Sequence, residues 1–257
     1  MYPLITIPTR GRTDKQTTLE YLPESIHEHV VLVCPKEERK ALRSNYPSVT
    51  VVAQPDSVQT IAAKRAWIMN TMFRKTFRDR KFCWMFDDDL YFNVFLPKLN
   101  LHRSVTNYKK ESERFWLRQF PKLCTQYRVA GIGTKAFAPK GGLRENYHLG
   151  FAFGMHRSVV KSIEWDRIAL YVDIDYTLQF LRQGIRIGLT YDMTIQQRAA
   201  ESKGGLEGER TDDLVQKSLE KLLKFHRGYI KVKEASGQHS MSNTRISWAK
   251  AAKDGGL

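Results

Sequence analysis

The sequence predicts an α/β fold built on a mostly parallel central sheet with helices on both faces, and three observations carry that prediction. Continuous apolar runs at 4–8, 30–34, 49–53 and 82–86 read as strands buried on both sides. Helical patterns fill the gaps between them, and charged residues gather where the runs end. In such sheets ligands sit at the carboxyl ends of the strands. The 257 residues, 42% of them hydrophobic, suffice for one large domain, or one domain with an appendage.

The run at 4–8 ends in the polar turn Thr9-Arg10-Gly11-Arg12, whose glycine permits a tight path, and Thr13 or Asp14 opens a helix to about Tyr21. The strand at 30–34 is stopped by Pro35 and followed by a helix over 36–44. The third run, at 49–53, ends at Gln54-Pro55-Asp56-Ser57, which starts a long helix reaching about Phe77. The fourth, at 82–86, ends in Asp87-Asp88-Asp89. From residue 93 to 127 the pattern turns polar and basic, with a helix expected over 111–127. Further strands are expected at 129–134, 148–155 and 185–190, and a helix at 177–182 that Gly184 stops. Residues 201–208 read as a mobile loop, 211–225 as an amphipathic helix and 250–257 as a disordered end.

Composition narrows the partners. The net charge of +15, from 42 Lys+Arg against 27 Asp+Glu, attracts polyanions, nucleic acid first among them. Candidate phosphate contacts are Arg103, Lys109, Lys110, Arg114 and Arg118, with Lys231 and Lys233 in the basic stretch 217–233; the alternative is a set of ordinary solvated helix faces. Cys34, Cys83 and Cys124 lack the number and spacing of a disulfide framework or a zinc site and read as core or near-core thiols. No apolar run approaches bilayer length and no signal-like segment opens the sequence, so a cytoplasmic protein without a membrane partner is expected, in a host's cytoplasm if a phage encodes it.

The acidic triplet is the most informative feature. Hard carboxylate oxygens at a strand end suit Mg2+ or Mn2+, and such a cation offsets the charge that builds on a departing diphosphate. Asp87 and Asp89, two apart on an extended segment, form the natural pair; Asp88 faces elsewhere and its loss is expected to cost least. The alternative is an acidic turn that caps a helix.

Taken in order, the strand, Thr-Arg-Gly-Arg, helix, strand, helix, strand, Gln-Pro-Asp-Ser, long helix, strand and Asp-Asp-Asp resemble the donor half of glycosyltransferases with the GT-A fold. The later Asp-Ile-Asp-Tyr-Thr-Leu-Gln-Phe-Leu-Arg-Gln-Gly does too, and the resemblance spans about residues 3–195. It implies a GT-A-like (Rossmann-like) catalytic domain over 1–200, with a nucleotide-sugar-binding half at 1–92 and an acceptor half at 93–200, and a loop, helix and tail over 201–257 that pack on it or close over it. The resemblance places Pro8, Thr9, Arg10 and Arg12 in the nucleotide loop, Asp56 against the base or ribose, and Lys64 and Arg65 as the basic pair on the next helix. Asp87 and Asp89 match the metal-binding motif, with Asp88 beside the donor, a nucleotide sugar such as a UDP-sugar. Asp173 or Asp175 matches the later acidic element, with Asp173 favoured as base for the acceptor hydroxyl. That position serves inverting members, but Val172 stands where many carry a glutamate, which leaves the stereochemical course open. Many members also bind the metal through a C-terminal histidine, for which the chain offers His226 and, in a polar loop better able to fold over the donor, His239.

Sugar, lipid and protein acceptors do not call for +15, whereas polymeric DNA does. The combination resembles bacteriophage-type enzymes that glycosylate 5-hydroxymethylcytosine or 5-hydroxymethyluracil in DNA. A flipped base would then stack on aromatics such as Tyr91, Phe92, Trp116 or Tyr147. Three alternatives are weighed: a GT-A enzyme acting on a polysaccharide, lipid or other non-DNA acceptor; a nucleotidyltransferase or pyrophosphorylase, for whose Gly-rich phosphate loop Thr9-Arg10-Gly11-Arg12 is too glycine-poor; and a non-catalytic nucleic-acid-binding protein. Nothing in the sequence fixes the oligomeric state.

Overall fold

A computed structural model describes residues 1–138, 140–197, 211–232 and 244–257. In chain order these form β1 (Leu4–Pro8), α1 (Thr17–Tyr21), β2 (Val30–Cys34), α2 (Arg39–Asn45), β3 (Thr50–Ala53) and α3 (Ile61–Trp67), which runs on as a π-helix through Ile68–Thr76. Next come β4 (Phe82–Phe86), β5 (Tyr91–Leu96), β6 (Leu101–Ser104), α4 (Lys109–Arg114), a π turn at Phe115–Gln119, α5 (Phe120–Gln126), β7 (Val129–Thr134), β8 (Leu143–Glu145) and β9 (Ala152–His156). The chain closes with α6 (Val172–Arg182), β10 (Ile187–Gln196), α7 (Asp212–Phe225), β11 (Ile230–Val232), β12 (Thr244–Ile246) and α8 (Trp248–Asp254).

Ten strands make one sheet in the order β3-β2-β1-β4-β9-β7-β10-β5-β6, with β8 paired to β10. Seven run in one direction; β5, β8 and β9 are reversed. The expected mostly parallel α/β architecture is therefore present. The unbroken apolar strands split by period two into two cores. Leu4, Val31, Val33, Cys83 and Met85 face one layer, which contains α6 and the C-terminal helices. Ile5, Ile7, Val30, Leu32, Trp84 and Phe86 face the other, where Trp116 and Phe120 pack on them. Trp84, Phe86, Trp116 and Phe120 meet with ring centroids 4.7–6.2 Å apart, the geometry that adds about 0.5–1.5 kcal/mol per aromatic pair beyond area burial. Cys34 and Cys83 are buried thiols and Cys124 is half-buried.

The structure departs from the sequence reading at several places. β5 starts at Tyr91, with only Leu90 between it and the acidic triplet, so Asp87 to Asp89 lie in a turn between two strands and cap no helix. The strand expected at 148–155 begins only at Ala152, because Gly150 at φ 67 turns the chain beforehand. The helix expected from 177 begins at Val172, which puts Asp173 and Asp175 in its first turn. The expected disordered end at 250–257 contains most of α8, whose Ala251 and Ala252 are buried in the core. Among the described residues no helix is long and apolar enough to cross a membrane. The loop expected at 201–208 lies outside the described residues, as do Lys233 and His239.

Candidate active site

Three loops meet at the carboxyl end of the parallel strands. After β1, Thr9 is held by its N–H on Val33 O at 2.9 Å, and its carbonyl receives the Lys64 ammonium at 3.0 Å. After β4 comes the acidic turn, and after β3 the turn through Asp56. Arg10 reaches across from the first loop to the Gln59 carbonyl at 3.5 Å, near the third. The Asp56 carboxylate is on an exposed turn, whereas its neighbour Gln54 is buried.

The acids are matched by cations. Asp87 accepts from Arg65 at 2.6 Å. Asp88 accepts from Thr9 Oγ1 at 2.7 Å and from the Arg12 guanidinium, which also reaches Asp89 at 3.4 Å. Gln197, at the end of β10, donates to the other Asp89 oxygen at 2.8 Å. Asp88 is the most buried of the three, with 11% of its side chain exposed against 23% for Asp87 and 25% for Asp89. The expectation that Asp88 faces away is corrected: the backbone turns at Asp88 and Asp89, strand alternation ends, and Asp88 ties the β1 loop to the acidic turn.

Burial governs the charges here. It pushes the Asp88 carboxyl up to about 6 in spite of Arg12 and Thr9. It also raises Asp87, against Arg65 and with help from the negative charges of Asp89 and Asp173. Burial lowers the Lys64 ammonium to about 8, with Asp88 and Glu38 opposing. Burial works against the Arg65 charge as well, yet Asp87, Tyr176 and Asp173 together raise that group above its ordinary value. Arg65 thus contacts Asp87 of the β4–β5 turn and also responds to the charge of Asp173 at the start of α6.

Asp173 is placed by contacts that the sequence did not reveal. The loop before β9 is fastened to the acidic turn by Asp87 N–H on Phe151 O at 3.2 Å, and to α6 by Leu149 N–H on Thr177 Oγ1 at 3.3 Å. It carries His148, whose Nε2 is 2.9 Å from Asp173 Oδ2. The indole of Trp248, from α8, stacks on the His148 ring at 5.2 Å and 14°. Burial would raise the Asp173 carboxyl, but His148, Arg65 and the Ile174 N–H hold it below the usual carboxylate range. Asp173 caps no helix, since Tyr171 occupies the N-cap.

Asp175 does not join this cluster. Wholly buried, it accepts from Arg167 Nε at 3.0 Å, from Gln179 at 2.8 Å, and pairs with His226 Nε2 at 2.7 Å. Its oxygens are consumed inside the protein, which corrects the catalytic alternative. The same network removes His226 as a metal ligand: its other nitrogen meets Arg182 at 3.3 Å, and burial lowers its basicity. Phe92 and Trp116 are fully buried and cannot stack on a base, whereas Tyr147 is partly exposed and carries the Arg144 guanidinium 3.5 Å from its ring centre. Arg103, Lys109, Lys110, Arg114 and Arg118 are exposed on β6, α4 and the π turn, and Lys231 is exposed on β11.

No three-ligand His, Cys, Asp or Glu cluster occurs among the described residues. Asp87 and Asp89 are the carboxylates that would hold a hard cation such as Mg2+, whose shell substrate phosphates and water usually complete. The cation would displace Arg65 from Asp87 or Arg12 and Gln197 from Asp89. Buried polar atoms without protein partners surround the site: Arg65 Nε, Gln16 Oε1 and Gln54 Oε1. Such orphans cost about 1–3 kcal/mol each unless a ligand or water meets them.

The site thus groups strand-end acids matched by arginines on an α/β sheet with a further acid, Asp173, in the first turn of α6. Residues 3–205 match the family model described as TET-Associated Glycosyltransferase. The chain belongs to that family and is a glycosyltransferase. Similar solved structures include mannose-1-phosphate geranyltransferase from Thermus thermophilus, at 9% identity and TM-score 0.45 over 77% of this chain and 76% of that one. Another is 4-diphosphocytidyl-2C-methyl-D-erythritol synthase from Anaerococcus prevotii, at 8% identity and TM-score 0.41 over 85% of this chain and 95% of that one. No curated protein matches the chain.

Proposed function

We propose that this glycosyltransferase moves a sugar from a nucleotide-sugar donor to the hydroxyl of a hydroxymethylated pyrimidine in DNA, with Mg2+ or Mn2+ at Asp87 and Asp89. The observation that supports a DNA acceptor is the charge: an excess of +15 remains after every Asp and Glu is counted, the three matched acids included, and Arg103, Lys109, Lys110, Arg114 and Arg118 display part of it to solvent. Phosphate contacts of this kind give affinity without sequence preference.

On this reading the donor enters across the β1 loop, with Pro8 and Thr9 shaping its floor and Arg10, Asp56 and Gln54 near the nucleoside. Arg12 and Arg65, which hold carboxylates in the structure, are within the same cluster and available to phosphate oxygens when a diphosphate arrives. A bound cation would offset the charge that develops on the leaving diphosphate. Lys64 adds positive charge behind the loop without reaching solvent. The acceptor hydroxyl approaches from the side of Asp173, His148 and Tyr147, and an extruded base would displace Arg144 to stack on the Tyr147 ring.

The test is incubation with Mn2+ or Mg2+, a panel of nucleotide sugars and DNA containing 5-hydroxymethylcytosine or 5-hydroxymethyluracil, followed by mass analysis of the nucleosides. A sugar-sized mass increase on the hydroxymethylated nucleoside is expected. Donor hydrolysis without that increase across the panel would overturn the DNA acceptor and point to a polysaccharide or lipid.

A further inference from the structure

His148 carries no functional signal in the sequence, where it opens an expected strand. In the structure it belongs to a loop pinned on both sides, to the acidic turn through Asp87 and Phe151 and to α6 through Leu149 and Thr177. Its ring is fixed twice more, by Asp173 at Nε2 and by the face of Trp248. Nδ1 has no partner among the described residues, and 30% of the side chain is exposed. A partly exposed histidine with one nitrogen on a carboxylate and the other without a partner among the described residues is the arrangement of a general base with an orienting acid. Asp173 alone suits the base less well, because a carboxylate stabilised as its anion by His148 and Arg65 accepts a proton reluctantly.

We propose that the proton acceptor for the glycosyl acceptor is the His148–Asp173 pair, with His148 Nδ1 taking the hydroxyl proton, Asp173 orienting the ring, and Trp248 of the C-terminal helix clamping it. This rests on the transferase reading of the site. As the acceptor oxygen forms its bond to the anomeric carbon, its proton passes to Nδ1. The bond from that carbon to the diphosphate oxygen breaks, and its electron pair leaves with the diphosphate. The imidazolium so formed is neutralised by Asp173, which itself stays ionised, and returns its proton to solvent after product release. His148 is the catalytic residue here; Asp173 and Trp248 position it.

The experiment has two arms. In the first, transfer to hydroxymethylated DNA is followed for wild type, His148→Ala, Asp173→Asn, Trp248→Ala and Trp248→Phe. Loss of a general base lowers kcat by roughly 10²–10⁴-fold, so His148→Ala is expected in that range with the donor KM little changed, and added imidazole should restore part of the rate. Trp248→Ala should lower kcat more than Trp248→Phe does, again without a matching KM change. In the second arm, nitrogen-15 NMR of the His148 ring needs no acceptor. It should show the proton on Nε2 in wild type and lose that preference in Asp173→Asn. Wild-type turnover in His148→Ala, a loss that imidazole leaves untouched, or a ring without a fixed tautomer would each overturn the proposal. If wild type transfers to no acceptor at all, the proposed function fails, while the NMR arm still decides whether the pair exists.

Discussion

Asp173 and Asp175 are two residues apart in one helical turn, and that spacing separates their roles. Residues two apart on a helix point to opposite sides, so Asp173 meets the partly exposed His148 while Asp175 turns inward to Arg167, Gln179 and His226. The sequence favoured Asp173, but with the helix expected to start only at 177 the opposite facing of the two acids was not legible. Removing one partner of a buried ion pair costs about 3–5 kcal/mol because the other charge is left unmatched. Asp175→Ala should therefore lose about that much stability in chemical denaturation, whereas Asp173→Asn should stay within about 1 kcal/mol of wild type and lose turnover instead. Equal stability of the two variants would contradict the division. The acidic triplet shows the same dependence on local geometry. Its position was legible, but the ranking of its members was not, because the backbone turns at Asp88 and the strand alternation assumed for Asp87 and Asp89 does not continue.

At the scale of elements, β1 to β4 were legible because each is an unbroken apolar run closed by a turn signal, and all four appear within a residue of their expected bounds. β5 was not. Its alternation is interrupted by Asn93, a polar residue that is only 6% exposed and that Lys135 satisfies at 3.3 Å from across the sheet. That partner is 42 residues away in sequence. The C-terminal helix was missed for a related reason. Its alanines, lysines and glycines read as a tail, but small residues also allow close approach to α6. Gly184 ends that region at φ 68, and a Cβ on Gly255 would lie 2.0 Å from the Leu181 carbonyl oxygen and 2.9 Å from Gly184 N. Gly255→Ala has no room, so it should destabilise the fold by about 1–3 kcal/mol, as overpacking does, read as a lower denaturation midpoint. An unchanged midpoint would mean that α8 docks less tightly than the contacts describe.

Across the whole molecule, the sheet divides the labour. Its parallel edge, β3-β2-β1-β4, supplies the strand ends that hold Thr9, Arg12 and the acidic turn, and its mixed half, from β9 to β6, supplies the His148 loop and the surface that presents Arg103. The acidic turn was legible because strand ends follow directly from apolar runs. The meeting of His148 and Trp248 at Asp173 was not, because the three come from separate segments and join only in the folded chain. The central claim is that the acidic turn and its arginines receive a cation and a nucleoside diphosphate. It is tested most directly by calorimetric titration of UDP, with GDP and CDP alongside, into wild type and into the Asp87→Asn, Asp89→Asn double variant, each with and without Mn2+. Binding of at least one nucleoside diphosphate that strengthens with Mn2+ and is lost in the double variant is expected. Nucleotide binding that ignores the metal and survives the double substitution would contradict the claim.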